Sequence, residues 1–380
     1  MNTSKMQSHD SAPEQTVLLV AMEMGLKSWR LAMAPPQAQR HRQVVIEAGH
    51  YLQWQAAVAQ ARKHWRLPAN CQVICCYEAG REGFHPYRVL SEARHTVWVV
   101  DSSSIEVNRR QRRAKNDALD ACKLLGLMQR QHRGERVFRI VHVPSRAQED
   151  ERQRTRERDE LRVERGRLRV RMQSLLFAQG VRDFPKRVPA IEHWWAQRCA
   201  GLAVHLRERL QRELQRLCMV EQQLRSLDRQ QRDRYAQPRA ASDLSAQQLC
   251  RLQGIAERSA GTLSTEMFGW RRFHNRREVG AMVGLTPTPY DSGESRREQG
   301  ISKAGNKRVR RVAIELAWSW LRYQPESALT QWYVQRFGQG RRNRRLGIVA
   351  LARRLLVALW HYLVHGVLPA GARLKAAPGC

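Results

Sequence analysis

From Thr16 the chain alternates short apolar runs with stretches of helical period. Thr16–Met33 reads as two strands around a turn at Gly25-Leu26-Lys27, and the first run is short and apolar, as a buried strand should be. A further strand is expected at Gln43–Glu47, helical spacing covers 49–66, and apolar strands follow at Gln72–Glu78 and Thr96–Asp101. Strands mixed with helices predict an α/β layer with a partly parallel sheet. Such sheets place their sites at the carboxyl ends of strands, where Glu23 and Glu78 stand.

Further on the period changes. On a helix within Asn108–Leu125, Asp117 and Asp120 are three apart and share a face. Two long helical runs fill 146–235: the first is dense in arginine with interleaved apolar residues (Leu161, Val163, Leu168, Val170, Met172), and the second, 202–235, carries leucines at three-, four- and seven-residue steps. A loop at Gly180–Pro189 joins them, so an antiparallel coiled-coil arm is expected, as a spacer or for oligomerisation and nucleic-acid contact. Leu249–Glu266 reads as two short helices around a glycine-led turn that could offer N–H groups to a phosphate. A Pro/Gly-rich loop with Ser292 on a Ser-Gly turn comes next, then apolar helices at 309–323 and 344–364. The divisions predicted are a polar, disordered stretch 1–15, an α/β domain 16–145, the arm 146–235 and a mainly α C-terminal domain 236–380.

Charge sharpens this picture. The chain has 67 Lys+Arg against 35 Asp+Glu, a net +32, and its pI is about 11.2. A field of that size favours a polyanionic partner, and nucleic acid is the natural one because binding releases counterions. No run of 18 apolar residues and no signal-peptide layout is present, which argues against a membrane partner and for a cytoplasmic protein. The eight cysteines show no C-x-x-C pairing, so reduced thiols are expected rather than zinc or disulfides.

Two constellations carry candidate chemistry. Glu23, Glu78, Asp117 and Asp120 are hard oxygen donors suited to Mg²⁺ or Mn²⁺, and two such ions could clamp a phosphodiester. The plain alternative pairs these acids with Arg109, Arg112, Arg113 and Lys115 as surface charges; on the functional reading Arg109, Arg110, Arg112, Arg113 and Lys115 are assigned to nucleic-acid binding. Around Ser292 lie Arg296, Arg297, Lys303, Lys307, Arg308, Arg310 and Arg311, a set that would hold a phosphodiester and stabilise the charge developing during attack. Otherwise the serine only caps the next helix in a solvated basic loop. Tyr290 is a second possible nucleophile.

Several stretches together resemble the IS110/IS1111-type transposases, serine-dependent recombinases of bacterial insertion sequences. They are Val20–Met33, Tyr77-Glu-Ala-Gly80, Val100–Arg110, Ala114–Ala121, Leu252-Gln-Gly-Ile255, Arg272-Phe-His-Asn275, Val283–Pro287, Ser292-Gly293 and Ile301–Asn306. The resemblance spans about 16 to 365. It implies an RNase H-like (RuvC-like) N-terminal domain, a coiled-coil arm and a C-terminal transposase domain. It also implies that the acidic set is Glu23, Glu78, Asp117 and Asp120 and that the nucleophile is Ser292. The family usually has Asp where this chain has Glu23, a carboxylate one methylene longer. The resemblance further implies a structured guide RNA pairing with element ends and target DNA, and a homo-oligomer, dimer or tetramer, at the bacterial nucleoid. The function expected is a DNA recombinase forming a transient phosphoserine link. Its rivals are a RuvC-like nuclease using water and a catalytically degenerate nucleic-acid-binding scaffold.

Overall fold

In the computed structural model the described residues are 16–105, 117–292 and 295–376; the expected disordered N-terminus and the cations Arg109, Arg110, Arg112, Arg113 and Lys115 lie outside them. Five strands form the first sheet: β1 (Val17–Met24), β2 (Ser28–Ala34), β3 (Arg42–Glu47), β4 (Gln72–Glu78) and β5 (Thr96–Val100). Their order is β3-β2-β1-β4-β5. The first three form an antiparallel meander, whereas β4 and β5 join parallel to β1. Parallel neighbours need crossovers, supplied by α1 (Tyr51–His64) and by α2 (His85–Glu92), a helix the apolar period does not announce because it buries only Pro86 and Leu90. Central β1 is covered on both faces, which is why its apolar run is unbroken. Leu18, Val20 and Met22 pack with Trp54, Ala57 and Val58 of α1. Leu19 and Ala21 pack with Ala121, Leu124, Leu125 and Met128 of α3 (Asp117–His132).

The chain divides into two compact units, residues 1–143 and 144–380. The second opens with α4 (Arg146–Phe177), begun by a capping box in which Ser145 and Gln148 satisfy each other's backbone N–H. It runs antiparallel to α6 (Val204–Ala236), joined by the pairs Arg158–Asp228 (2.6 Å), Arg165–Glu221 (3.2 Å) and Arg171–Glu213 (2.7 Å). Leu168, Met172 and Leu176 meet Leu210, Leu214, Leu217 and Leu224 in the seam, whereas Val163 and Val170 face outward. The loop expected at Gly180–Pro189 ends early: α5 (Val188–Arg198), with Pro189 in its first turn, lays Ile191, Trp194 and Trp195 on the seam.

The remaining core is helical: α7 (Ala241–Cys250), α8 (Glu257–Leu263), one π-helical turn (Ser264–Phe268), α9 (Arg276–Met282), α10 (Lys307–Tyr323), α11 (Ala328–Phe337) and α12 (Arg341–His365). The glycine-led turn between α7 and α8 packs on α10, where Ser319 Oγ donates to the Gly254 carbonyl at 2.7 Å. Residues 343–365 of α12 are long and apolar enough to cross a membrane, but half of that window is buried, with Leu351, Ala352, Leu355 and Leu359 in this core. The serine segment, expected as a loop, is a two-stranded antiparallel hairpin of β6 (Pro287–Ser292) and β7 (Ser295–Ile301). The seven described cysteines are free thiols.

Candidate active site

In the first unit, Met22 of β1 pairs with Tyr77 of β4. One more step along these parallel strands brings Glu23 beside Glu78. Leu19 and Ala21, like Ile74 and Cys76, fill the core under α3, so strand alternation sets both glutamates on the α3 face. The direction of α3 follows from its far half. Gln129 Nε2 donates to the carbonyls of Pro35 (3.2 Å) and Ala38 (2.9 Å), beyond the end of β2 and level with the start of β1. The first turn of α3, with Asp117 and Asp120, therefore lies toward the strand ends that carry Glu23 and Glu78. The sheet thus sets Glu23 and Glu78 at one end and on one face, toward which the first turn of α3 also lies.

Their environments differ. Glu78 is exposed, and Glu23 is half-buried with Arg30 opposite it across the antiparallel pair. The Cys76 thiol is pushed well up by burial first, then by Cys75 and by the charge of Glu78. Asp120 accepts from Lys123 Nζ at 3.1 Å, and the Asp117 side chain lies outside the described residues. A further strand-end acid, Asp101, follows Val100 and by alternation falls on the opposite face; Arg139 stands 3.7 Å from it. Carboxylates at strand ends have the donor chemistry of a divalent-ion site. Among the described residues, however, no three His, Cys, Asp or Glu side chains converge closely enough to hold an ion.

In the second unit, Ser292 ends β6 opposite Ser295, with Asp291 opposite Arg296 and Tyr290 opposite Arg297. The side chains of 289–299, and so of Arg296 and Arg297, lie outside the described residues. The base of the hairpin is well defined. Ser302 N–H donates to the Thr286 carbonyl (2.9 Å), Lys303 N–H to Gly284 (3.1 Å) and Asn306 N–H to Met282 (2.8 Å). Gly284 and Gly305 hold φ of +64° and +91° there, with backbone so close that a Cβ on either would strike a carbonyl oxygen across the base. Only glycine allows both the conformation and the approach.

The predicted phosphate clamps are placed unequally. Lys303, itself left-handed at φ 55°, and Lys307 are exposed. Arg310 Nη1 donates to the carbonyls of Val283 (2.9 Å) and Lys303 (2.8 Å), tying the hairpin base to α10. Arg308 meets Asp159 (3.0 Å) and Glu160 (3.4 Å) of α4, and Arg311 meets the same Asp159 at 2.7 Å. Lys307, Arg308 and Arg311 line an open groove of about 860 Å³ with Arg167, Arg171 and Arg216. Sequence reasoning did not find Glu266, which is 1% exposed on the π turn and grips Arg156 and Asn306. The asparagine before a helical run marks the cap Asn306, but nothing local in the sequence marks the carboxylate 40 residues away that holds it.

Comparison with known proteins bears on the family of the chain. The profile of the Transposase IS116/IS110/IS902 family matches residues 246–331, from α7 through the hairpin into α11. The protein y4rJ of Sinorhizobium fredii (strain NBRC 101917 / NGR234), assigned as a transposase, is 35% identical over 375 residues, 94% of each chain. The transposase for insertion sequence element IS1328 of Yersinia enterocolitica is 30% identical over 129 residues, 33% of this chain and 38% of its own.

Proposed function

Because the chain belongs to the IS116/IS110/IS902 transposase family, we propose that it is a DNA recombinase that moves its own insertion sequence through a serine–phosphate intermediate. The observation that carries this reading is the placement of Ser292 at the end of β6, on a hairpin with a fixed base, within the family match. Ser292 Oγ attacks a backbone phosphorus; the new O–P bond replaces the bond to the departing sugar oxygen, and the serine proton is given up as that oxygen gains one. The phosphoserine conserves the bond energy, so a second sugar hydroxyl reverses the exchange and rejoins the strands. Lys303 and Lys307, both exposed, neutralise the phosphate.

Glu23, Glu78, Asp117 and Asp120 would hold Mg²⁺ or Mn²⁺. An ion held there would supply charge stabilisation to a bound phosphate. The strand order and directions support an RNase H-like (RuvC-like) reading of the first unit, with its acids at the usual carboxyl ends of strands. Target choice would come from a structured guide RNA pairing with element ends and target DNA, within a dimer or tetramer. The net charge of +32 supports polyanionic partners of this kind.

The test uses purified protein, co-expressed element RNA, Mg²⁺ and a labelled DNA junction on a denaturing gel. A covalent protein–DNA band is expected from wild type and from Tyr290→Phe, and its loss from Ser292→Ala. Asp117→Asn is expected to slow its formation by about a hundredfold or more, the usual scale for removing one group that stabilises transition-state charge. Free cleaved DNA without an adduct, unchanged in Ser292→Ala, would overturn the serine mechanism and leave a hydrolytic nuclease.

A further inference from the structure

Below the hairpin lies a buried polar strut that the recombination chemistry does not itself require. Glu266 belongs to the π-helical turn Ser264–Phe268, closed by the Gly269 N–H to Ser264 carbonyl bond at 2.7 Å. Such turns re-aim side chains and recur at functional sites. Here the carboxylate is 1% exposed and has two kinds of partner. Arg156 of α4 grips it with both arms of its guanidinium, Nε to Oε1 at 2.8 Å and Nη2 to Oε2 at 3.1 Å. Asn306 Nδ2 donates to Oε2 at 2.9 Å.

Asn306 is a junction. Its Oδ1 accepts from the N–H groups of Arg308 (2.9 Å) and Val309 (3.2 Å), capping α10, and its own N–H donates to Met282 at the hairpin base. Its neighbour Gly305 is pressed against that same carbonyl. An amide donor committed to Glu266 therefore fixes the rotamer whose oxygen caps α10 and whose backbone closes the base. Only the carboxylate of this pair is buried, the Arg156 side chain being 35% exposed, and an ion pair so placed adds little net stability over an apolar substitute of similar size. This one spends a two-pronged contact on holding a single amide in place.

We propose that Glu266 is a positioning residue for Ser292: backed by Arg156, it holds Asn306 so that the base of the β6–β7 hairpin keeps one geometry and the hairpin presents its serine in one orientation. The proposal rests on the reading of Ser292 as the nucleophile, but it makes a claim about the hairpin that is measurable without any reaction.

The experiment is hydrogen exchange by mass spectrometry on the full-length protein, following peptides that span 284–306 against peptides of α10 and α12, with thermal melting and adduct formation on the same samples. Three variants are compared. Glu266→Met removes the acceptor at similar volume. Glu266→Gln keeps an oxygen for Asn306. Asn306→Asp keeps the helix cap but loses the donated N–H. The expected result is exchange faster by about tenfold or more at the hairpin base in Glu266→Met and Asn306→Asp, the scale of one lost hydrogen bond to a charged group. Exchange in α10 and α12 stays as in wild type, Glu266→Gln, which keeps an oxygen for Asn306 but turns an N–H toward Arg156 Nε, falls between wild type and Glu266→Met at the hairpin base, and adduct formation slows in the two loosened variants. Unchanged hairpin exchange in folded Glu266→Met would overturn the proposal. So would a uniform rise across hairpin, α10 and α12, which marks a merely structural role. If the hairpin loosens as expected but wild type forms no adduct, the strut stands and the serine reading fails.

Discussion

A methyl group added at Gly305 would land on the Met282 carbonyl oxygen, while one added at Gly300 would meet nothing within 4 Å, although both hold φ near +90° (+91° and +86°). The pair separates backbone strain from crowding. Gly300→Ala is expected to cost about 1–2 kcal/mol, the left-handed penalty alone. Gly305→Ala costs more, because the backbone beneath cannot yield without opening the hairpin base. At about 2–4 °C per kcal/mol for a unit of this size, melting should show a modest shift for the first and a clearly larger one for the second. Equal shifts would mean that the base is not tightly closed. The thiols offer a second residue-scale test. Burial, with the nearby Glu192 carboxylate, pushes Cys218 up to about 11, and burial is the main cause raising Cys250 to about 11. In the unfolded chain both ionise from about pH 8.5. Between there and 11 the unfolded state therefore has fewer bound protons than the folded one, and stability falls as pH rises. Melting temperatures should hold from pH 7 to 8.5 and drop toward pH 11, and Cys250→Ala should lessen the drop; a flat profile would sink the assignment.

Among the elements, the α4–α6 seam separates positions that look alike in the sequence. Leu217 is fully buried and Val170 is 67% exposed, though both stand in helical apolar series. Leu217→Ala should cost about 2–5 kcal/mol and Val170→Ala no more than about 0.5, read as helix loss in urea by circular dichroism. Similar costs would place Val170 in an apolar contact. The same contrast shows why some elements are legible in the chain and others are not. β1 and β4 are readable because strands buried on both faces are continuously apolar, and their terminal acids stand out against that background. The α4 seam is blurred because its arginines answer acids on α6 some 40 to 70 residues away, as in Arg171–Glu213 and Arg158–Asp228. α5 escapes a reading by composition because Pro189, a common loop residue, sits where a helix can begin. The hairpin escapes it because Pro287, Pro289 and Gly300 mask its alternation, while its stability comes from a glycine-lined base. Arg308 and Arg310 look like free phosphate clamps in the sequence because nothing local reveals Asp159 or the Val283 carbonyl.

For the whole molecule the leading property is the net charge of +32, and pairing discounts it unevenly. Arg156, Arg158, Arg165, Arg171, Arg308 and Arg311 are tied to acids within the second unit, so they brace the fold and only partly serve a partner. If phosphates are held by the cations left over, each contact released by salt steepens the slope of log affinity against log salt by about 0.9 on duplex DNA. Six or more contacts would weaken binding by about a thousandfold or more between 50 and 200 mM salt. Fluorescence anisotropy with duplex DNA should therefore show that steep loss in wild type. Ser292→Ala should keep the same slope, because the hydroxyl carries no charge. Lys303→Ala and Lys307→Ala, which remove exposed cations beside the hairpin, should each lower the slope by about one unit. Arg156→Met should leave it alone, since that guanidinium is spent on Glu266. A slope insensitive to Lys303 and Lys307 but reduced by Arg156→Met would invert the assignment, making the apparent strut a nucleic-acid contact and the hairpin-side lysines bystanders. The measurement thus distinguishes charge that binds from charge that braces, which a count of basic residues cannot do.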